Sequence, residues 1–123
     1  GSENTAVGMI CLDANTTGTA NTAMGVGALG ANTTASNNTA FGRSALEANT
    51  TGAYNTTLGA SSLASNITGS ANVGIGYKAL YATTNNFNVG IGGGFPGVIS
   101  AALEANTSGT QNVSVPVVFA FKD

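Results

Sequence analysis

Asn38-Thr-Ala-Phe-Gly42 is the stretch that decides the fold, because the same pattern returns along the chain with its glycine every 17 residues. Leu46 stands four residues after that glycine, and the turn-forming string Asn49-Thr-Thr-Gly52 follows three residues later. The other copies of the pattern begin at Asn4, Asn21, Asn55 and Asn72, and a further copy at Asn88 arrives one residue early. A fixed short period of this kind is the sequence signature of a solenoid.

The composition of the unit favours β-structure over helix. Two recurring glycines and the Asn-Thr-Thr strings weaken a helix and favour turns, and helical repeats are usually longer than this one. In Asn72-Val-Gly-Ile-Gly76, the alternation places Val73 and Ile75 on one face and Gly74 on the other, as in a strand. We therefore expect an all-β fold, a parallel β-roll or β-solenoid in which each unit is strand, turn, short strand, turn.

Stacked units align equivalent residues at about 4.8 Å, so that sequence positions become columns. Two columns are expected to be buried seams, either in the core or between chains. One is Val7, Met24, Phe41, Leu58, Ile75, Ile91 and Val115, and the other is Leu12, Leu29, Leu46, Leu63, Leu80 and Leu103. A third column changes from Thr5, Thr22, Thr39 and Thr56 to Val73, Val89 and Val113. This third column predicts a wetter interior in the early coils.

A column of small residues contains the lone cysteine. Its members are Cys11, Ala28, Ala45, Ser62, Ala79 and Ala102. A single cysteine makes neither an intrachain disulfide nor a cysteine metal cage, so Cys11 is interpreted as a small apolar filler.

The repeat also divides the chain into parts. Residues 1–3 are interpreted as a lead-in with a Gly-Ser pair typical of a cloning scar, and residues 4–92 as tandem repeats. An inserted loop is expected at 93–99, and a final repeat at 100–115. Residues 116–123 either cap the stack or begin the next module.

Charge and composition argue against several function classes. Charged residues make up 7% of the chain and the formal net charge is −2, so no basic surface is available for nucleic acid. No apolar run reaches the roughly 20 residues that span a bilayer. Histidine is absent and the carboxylates are scattered, so we expect no enzyme, cofactor or metal. Gly25-Val-Gly-Ala-Leu-Gly30 matches a nucleotide-binding pattern, but a strand and a turn are expected after it instead of the required helix.

The Asn-Thr-Ala-x-Gly, Ala-Leu and Asn-Thr-Thr-Gly units resemble those of phage tail-fibre proteins. Asn72-Val-Gly-Ile-Gly76 is similar to the head repeats of YadA-like trimeric autotransporter adhesins. The resemblance covers residues 4–115, although adhesin head repeats tend to be shorter and the insertion has no counterpart in the unit. It implies an interlocked homotrimer in which three left-handed parallel β-rolls share a central core.

The leading functional expectation is a structural and recognition segment of a trimeric fibre, in a virion tail fibre or on a cell surface. An autotransporter adhesin head is the alternative within this class. Loops on a rigid scaffold commonly carry recognition, so contacts with a cell-surface glycan or protein receptor are expected at the interruption of the repeat. The candidate contact residues are Phe95, Pro96, Val98 and Ile99, followed by Tyr81, Asn85 and Phe87. An equally weighted alternative is that Phe95 and Ile99 fold back onto the stack.

Two other function classes stay open. Thr17, Thr34, Thr51 and Thr68 form a threonine column that suggests binding to ice or another ordered surface, although they stand in predicted turns. A carbohydrate-active enzyme would need carboxylates contributed by neighbouring chains, because Glu47 and Glu104 share one repeat position and are expected to be solvated.

Overall fold

Seven short parallel strands stack in chain order into one sheet. The computed structural model describes residues 1–94 and 101–115 of the chain. The strands are β1 (Thr5–Val7), β2 (Thr22–Met24), β3 (Thr39–Phe41), β4 (Thr56–Leu58), β5 (Val73–Ile75), β6 (Val89–Ile91) and β7 (Val113–Ser114). We call the chain from one strand to the next a coil. The fold is therefore a parallel β-solenoid built from tandem repeats, which confirms the all-β prediction.

The coils keep the register that the sequence repeat predicts. Thr39 pairs with Thr22 on one side and with Thr56 on the other. Hydrogen bonds between equivalent asparagines step by 17 residues along most of the stack, by 16 at Asn88 and by 24 at Asn112. Six steps separate β1 from β7, a rise of about 29 Å at the usual strand spacing.

The insertion falls in the coil that follows β6. The Gly94 amide still donates to the Tyr77 carbonyl of the coil below, at 3.0 Å. The chain is back in register at Ala102, whose amide donates to the Gly92 carbonyl at 3.0 Å and whose carbonyl accepts from the Leu80 amide at 2.9 Å. The additional residues therefore lie between Gly94 and Ala102. The predicted contact residues Phe95, Pro96, Val98 and Ile99 lie outside the described residues.

The interior of each coil is narrow and is filled mainly by alanine and leucine. Ala23 and Ala40, at the centres of β2 and β3, are fully buried. The predicted leucine seam is buried in the same core, because Leu29, Leu46, Leu63 and Leu80 are completely inaccessible and Leu12 and Leu103 pack against the cluster. Ala28 and Ala45, from the column of small residues, complete the cluster.

The seam that contains Val7 faces outward, so of its two expected places, in the core or between chains, the core is wrong. Val7, Phe41 and Leu58 are 51%, 44% and 52% exposed. The threonine-valine column lies on the same outer side, and the prediction of a wetter interior is therefore also wrong. The reason is space, because even a Cβ added at Gly74 would lie 2.4 Å from Ser62 Oγ. In β2–β6 the interior accepts the central residue, which is never larger than threonine, and the two flanking residues point outward.

Left-handed backbone positions turn the chain at the corners of each coil. In the third coil and its approach these positions are Asn37, Ser44 and Leu46, with φ of 61°, 55° and 52°. A left-handed leucine costs roughly 1–2 kcal/mol. Complete burial of its side chain contributes about 1.5–3 kcal/mol, so the core offsets the strained backbone. Within the described ranges, no helix is long and apolar enough to cross a membrane.

Candidate assembly interface

The two outward residues of each strand form a continuous surface, which we call the outer face. It consists of the first and third residues of β1–β6, together with Val113 and the adjoining Val115. In β1–β4 the first residue is threonine and the third is Val7, Met24, Phe41 or Leu58. In β5 and β6 both outward residues are aliphatic. One side of this stack is therefore largely apolar.

Exposed apolar side chains also follow the strand ends. Met9, Val26 and Tyr77 follow the repeat glycines and are 67%, 43% and 39% exposed. None of the seven described strands contains a charged residue. Contiguous exposed apolar surface on a soluble protein generally marks a site of contact with another molecule. The outer face is therefore the strongest candidate interface in the described part of the chain.

A ladder of buried asparagines holds the coils in register behind the outer face. Asn38 Oδ1 accepts from the Asn55 backbone amide at 2.9 Å, and Asn38 Nδ2 donates to the Gly52 carbonyl at 2.9 Å. The pattern repeats from coil to coil through Asn4, Asn21, Asn38, Asn55, Asn72, Asn88 and Asn112. Because these amides are satisfied only when neighbouring coils are aligned, the ladder fixes the regular spacing of the outer face.

A second asparagine ladder runs along the corner that follows each leucine. Asn49 Nδ2 donates to Asn32 Oδ1 of the previous coil at 3.2 Å and to the Gly52 carbonyl of its own turn at 2.9 Å. Asn66 continues the ladder by donating to Asn49 Oδ1 at 3.0 Å. The sequence analysis treated these residues as turn formers and missed their burial. The recurrence of an asparagine three residues after the leucine of the buried seam was the sequence signal that could have revealed this burial.

Threonines next to this ladder form two columns with different roles. Thr16, Thr33 and Thr50 each donate a hydroxyl to a carbonyl of the next coil, at 2.9 to 3.1 Å. The column considered for ice binding, Thr17, Thr34, Thr51 and Thr68, is exposed. In the shortened coil Asn85 takes the hydrogen-bonding position of Gly69, and the residue directly before it, Thr84, is also an exposed threonine.

The three described candidates for receptor contact lie at different places in the fifth coil. Tyr81 is half-buried next to Leu80, and its ring centroid is 5.2 Å from Lys78 Nζ. Asn85 Nδ2 donates to the Thr107 carbonyl at 2.8 Å, and its own carbonyl accepts from Asn72 Nδ2, so Asn85 links neighbouring coils. Phe87 is 59% exposed at a left-handed corner. Of the three, Phe87 presents the most accessible large apolar side chain.

Lys78 forms a charged and aromatic cluster next to the insertion. Its Nζ lies 3.6 Å from Glu104 Oε1 and 5.8 Å from the centroid of the Tyr77 ring. Glu104 Oε2 also accepts from the Ala101 amide at 3.3 Å, which ties the returning chain to the fifth coil. The sequence analysis did not single out this cluster, although the spacing Tyr77-Lys-x-x-Tyr81 was visible.

The carboxylates are spread along the stack. Glu47 and Glu104 occupy the same column three coil steps apart, about 14 Å between backbone positions, which exceeds the ~5–9.5 Å of paired glycosidase carboxylates. Asp13 and Glu47 flank a depression of about 250 Å³ whose lining includes Gly27 and Gly30. In residues 1–94 and 101–115, no three His, Cys, Asp or Glu side chains are grouped to hold a metal ion.

Cys11 is half-buried, and its thiol donates to the Gly25 carbonyl at 2.7 Å. Ser62, in the same column, donates its hydroxyl to the Gly74 carbonyl at 3.0 Å. Both side chains therefore bond to backbone inside the stack.

No protein-family model, curated protein or solved structure matches this chain.

Proposed function

We propose that this chain is a rigid structural segment of a homotrimeric fibre, whose copies pack through the outer face. The observation that carries the proposal is the apolar outer face on a stack whose coils are already joined by backbone and asparagine hydrogen bonds. The stack does not need this face for its own core, because Leu46 and its equivalents fill the interior. Its apolar side chains are therefore free to form a shared core between copies.

A second and third copy of the same chain fit the outer face better than an irregular partner. Equivalent residues on this face repeat at the inter-strand spacing, so parallel copies arranged around an axis along the stack match one another coil by coil. The absence of charge on the described strands removes repulsion between identical faces. The number of copies, three, and a left-handed path come from the resemblance of the repeats to tail-fibre and adhesin units.

In this proposal the segment belongs to a virion tail fibre or to a cell-surface adhesin, and its rigidity is its main role. Contact with a glycan or protein receptor would occur where the repeat is interrupted. Among the described residues, Phe87 and the Tyr77–Lys78–Tyr81 cluster are the accessible features at that end of the stack.

Sedimentation equilibrium of the purified chain and two variants tests the proposal. Leu58→Glu places a charge on the outer face, and the expected result is conversion of a trimer to a monomer. Tyr54→Glu is the matched control, because Tyr54 is 66% exposed at a corner outside the outer face. A wild-type chain that stays monomeric at every concentration, or equal effects of the two variants, contradicts the proposal.

Binding to ice or another ordered surface is a second candidate, favoured by the exposed column Thr17, Thr34, Thr51 and Thr68. A single column of four hydroxyls on a turn offers far less area than the outer face. Ice crystals of ordinary shape grown in a solution of the protein would eliminate this function.

A further inference from the structure

The composition of the strands changes between β4 and β5. The strands β2, β3 and β4 read Thr-Ala-Met, Thr-Ala-Phe and Thr-Thr-Leu, whereas β5 and β6 both read Val-Gly-Ile. The outward threonine is thus replaced by valine, and the inward alanine or threonine by glycine. Side-chain carbon is removed from the inside of the coil and added to the outside.

Because the central residue of β5 and of β6 is glycine, neither strand places a side chain in the interior of its coil. Ala23 and Ala40 fill the interior at β2 and β3, where both are fully buried. At β6, a Cβ added to Gly90 would lie 2.8 Å from Leu80 Cγ, so the surrounding coil has closed in on the glycine. The later strands therefore contribute no inward side chain to the core, whereas β2 and β3 contribute one alanine each.

The outward change removes groups that bond to water. Valine and threonine have nearly the same shape, but a threonine hydroxyl on the surface is solvated and the corresponding methyl group is not. Val113, in the same column of β7, is 75% exposed, and Ile91 of β6 is 38% exposed. On β5–β7 both outward columns are thus apolar, whereas on β1–β4 one of the two is polar.

We infer that the outer faces of β5–β7 form the principal contact between copies of this chain, and that their coils reach full stability only on association. The coils of β2–β4 hold together within one chain and contribute a weaker contact. This inference rests on the proposed homotrimer. It adds the position along the stack at which most of the free energy of association arises. We expect a second copy of this chain, aligned coil by coil, to cover this part of the outer face. In that arrangement Val73 and Val89 pack against aliphatic side chains of the other copy, which repeat at the same inter-strand spacing.

Two double variants test the inference in the intact chain. Val73→Thr with Val89→Thr adds two hydroxyls per chain to the later part of the outer face while keeping side-chain shape. Thr39→Val with Thr56→Val makes the reverse change in the earlier part. Sedimentation velocity over a dilution series measures the association constant of each, and circular dichroism checks that the β-structure is retained.

The first double variant is expected to weaken association at least about a hundredfold, because every buried hydroxyl left without a partner is unfavourable and each trimer gains six of them. The second is expected to leave association unchanged or to strengthen it. If the wild type associates but both variants leave its association constant unchanged, the inference is overturned while the homotrimer stands. A wild type that never associates overturns both.

Hydrogen exchange on the wild type gives an independent measurement that needs no variant. The Val73 amide donates to the Asn88 carbonyl at 2.8 Å, and the Thr22 amide donates to the Asn38 carbonyl at the same distance. Since coil stability in a solenoid is largely local, protection can differ along the stack. The inference expects dilution to lower protection at Val73 at least tenfold more than at Thr22. Equal loss of protection at both amides overturns it.

Discussion

Thr83 occupies the ladder position of Asn66 one coil further along, and each of the two side chains keeps a buried oxygen without a hydrogen-bond partner. These oxygens, Asn66 Oδ1 and Thr83 Oγ1, are the only such side-chain atoms in residues 1–94 and 101–115. Asn49 Oδ1, in the equivalent position one coil earlier, accepts from Asn66 Nδ2 at 3.0 Å. The second asparagine ladder is thus interrupted at Thr83, in the coil that is one residue short.

Thr83→Asn is expected to stabilise the protein. The new side-chain amide would donate to Asn66 Oδ1 and remove the cost of a buried unpaired acceptor, about 1–3 kcal/mol. Urea unfolding followed by circular dichroism measures the gain. Thr84→Asn is the matched control, because Thr84 is the exposed neighbour and its replacement should change stability by less than about 0.5 kcal/mol. A loss of stability in Thr83→Asn would show that the shortened turn cannot accommodate the amide.

Asn38→Ala is expected to destabilise the chain by about 2–4 kcal/mol, because it leaves the Asn55 backbone amide buried without a partner and removes one of the two side-chain donors to the Gly52 carbonyl. Asn37→Ala, at the adjacent exposed corner, is the control. Alanine already occupies the equivalent left-handed position at Ala20 and Ala71. Thermal unfolding of both variants gives the comparison. Similar melting temperatures would mean that the buried asparagines do not hold the coils together.

The sequence was sufficient to predict the stack, its parallel order and its columns. The reason is that Gly42, Leu46 and Asn49 recur at fixed distances and leave one alignment of the coils. The alternation of residues in β3 likewise predicted that Ala40 lies on one face of the strand and Thr39 and Phe41 on the other. It did not show which side faces inward, because hydrophobicity favours Phe41 for the core while the narrow coil has room only for Ala40. That choice depends on the diameter of the coil, which is set by tertiary packing.

For the candidate contact residues, the sequence pattern allows two interpretations. An aromatic or an asparagine at a break in the repeat suggests a binding site, but the same residues also repair the hydrogen bonding of a shortened coil. Asn85 does so by bonding to Thr107 and Asn72. Asn86 Oδ1 similarly accepts from the Ser70 amide at 2.7 Å, as Ser70 Oγ accepts from Ala53 one coil earlier. Such substitutions are recognisable only once the register of the shortened coil is known.

Gly42→Ala is expected to cost more than about 3 kcal/mol and to prevent regular stacking. Gly42 has φ of 138°, which side chains rarely adopt, and an added Cβ would lie 2.6 Å from the Gly59 carbonyl oxygen. Gly27→Ser is the control, because its nearest atom to an added Cβ is 3.7 Å away and Ser44 and Ser61 hold the equivalent position. It should be neutral or stabilising by up to about 1 kcal/mol. Chemical denaturation of both variants distinguishes a required glycine from a tolerated one.

The variants Leu46→Ala and Leu58→Ala distinguish the contribution of the single chain's core to stability from the contribution of the outer face. Leu46 is completely buried and Leu58 is 52% exposed, although both are leucines of the same region of the stack. Removing Leu46 should destabilise the chain by about 2–5 kcal/mol at any protein concentration, since it leaves a cavity. Removing Leu58 should change stability only where copies associate, so its effect should vanish on dilution. Unfolding measured at several concentrations tests this, and a concentration-independent loss in Leu58→Ala would show that the outer face serves the single chain alone.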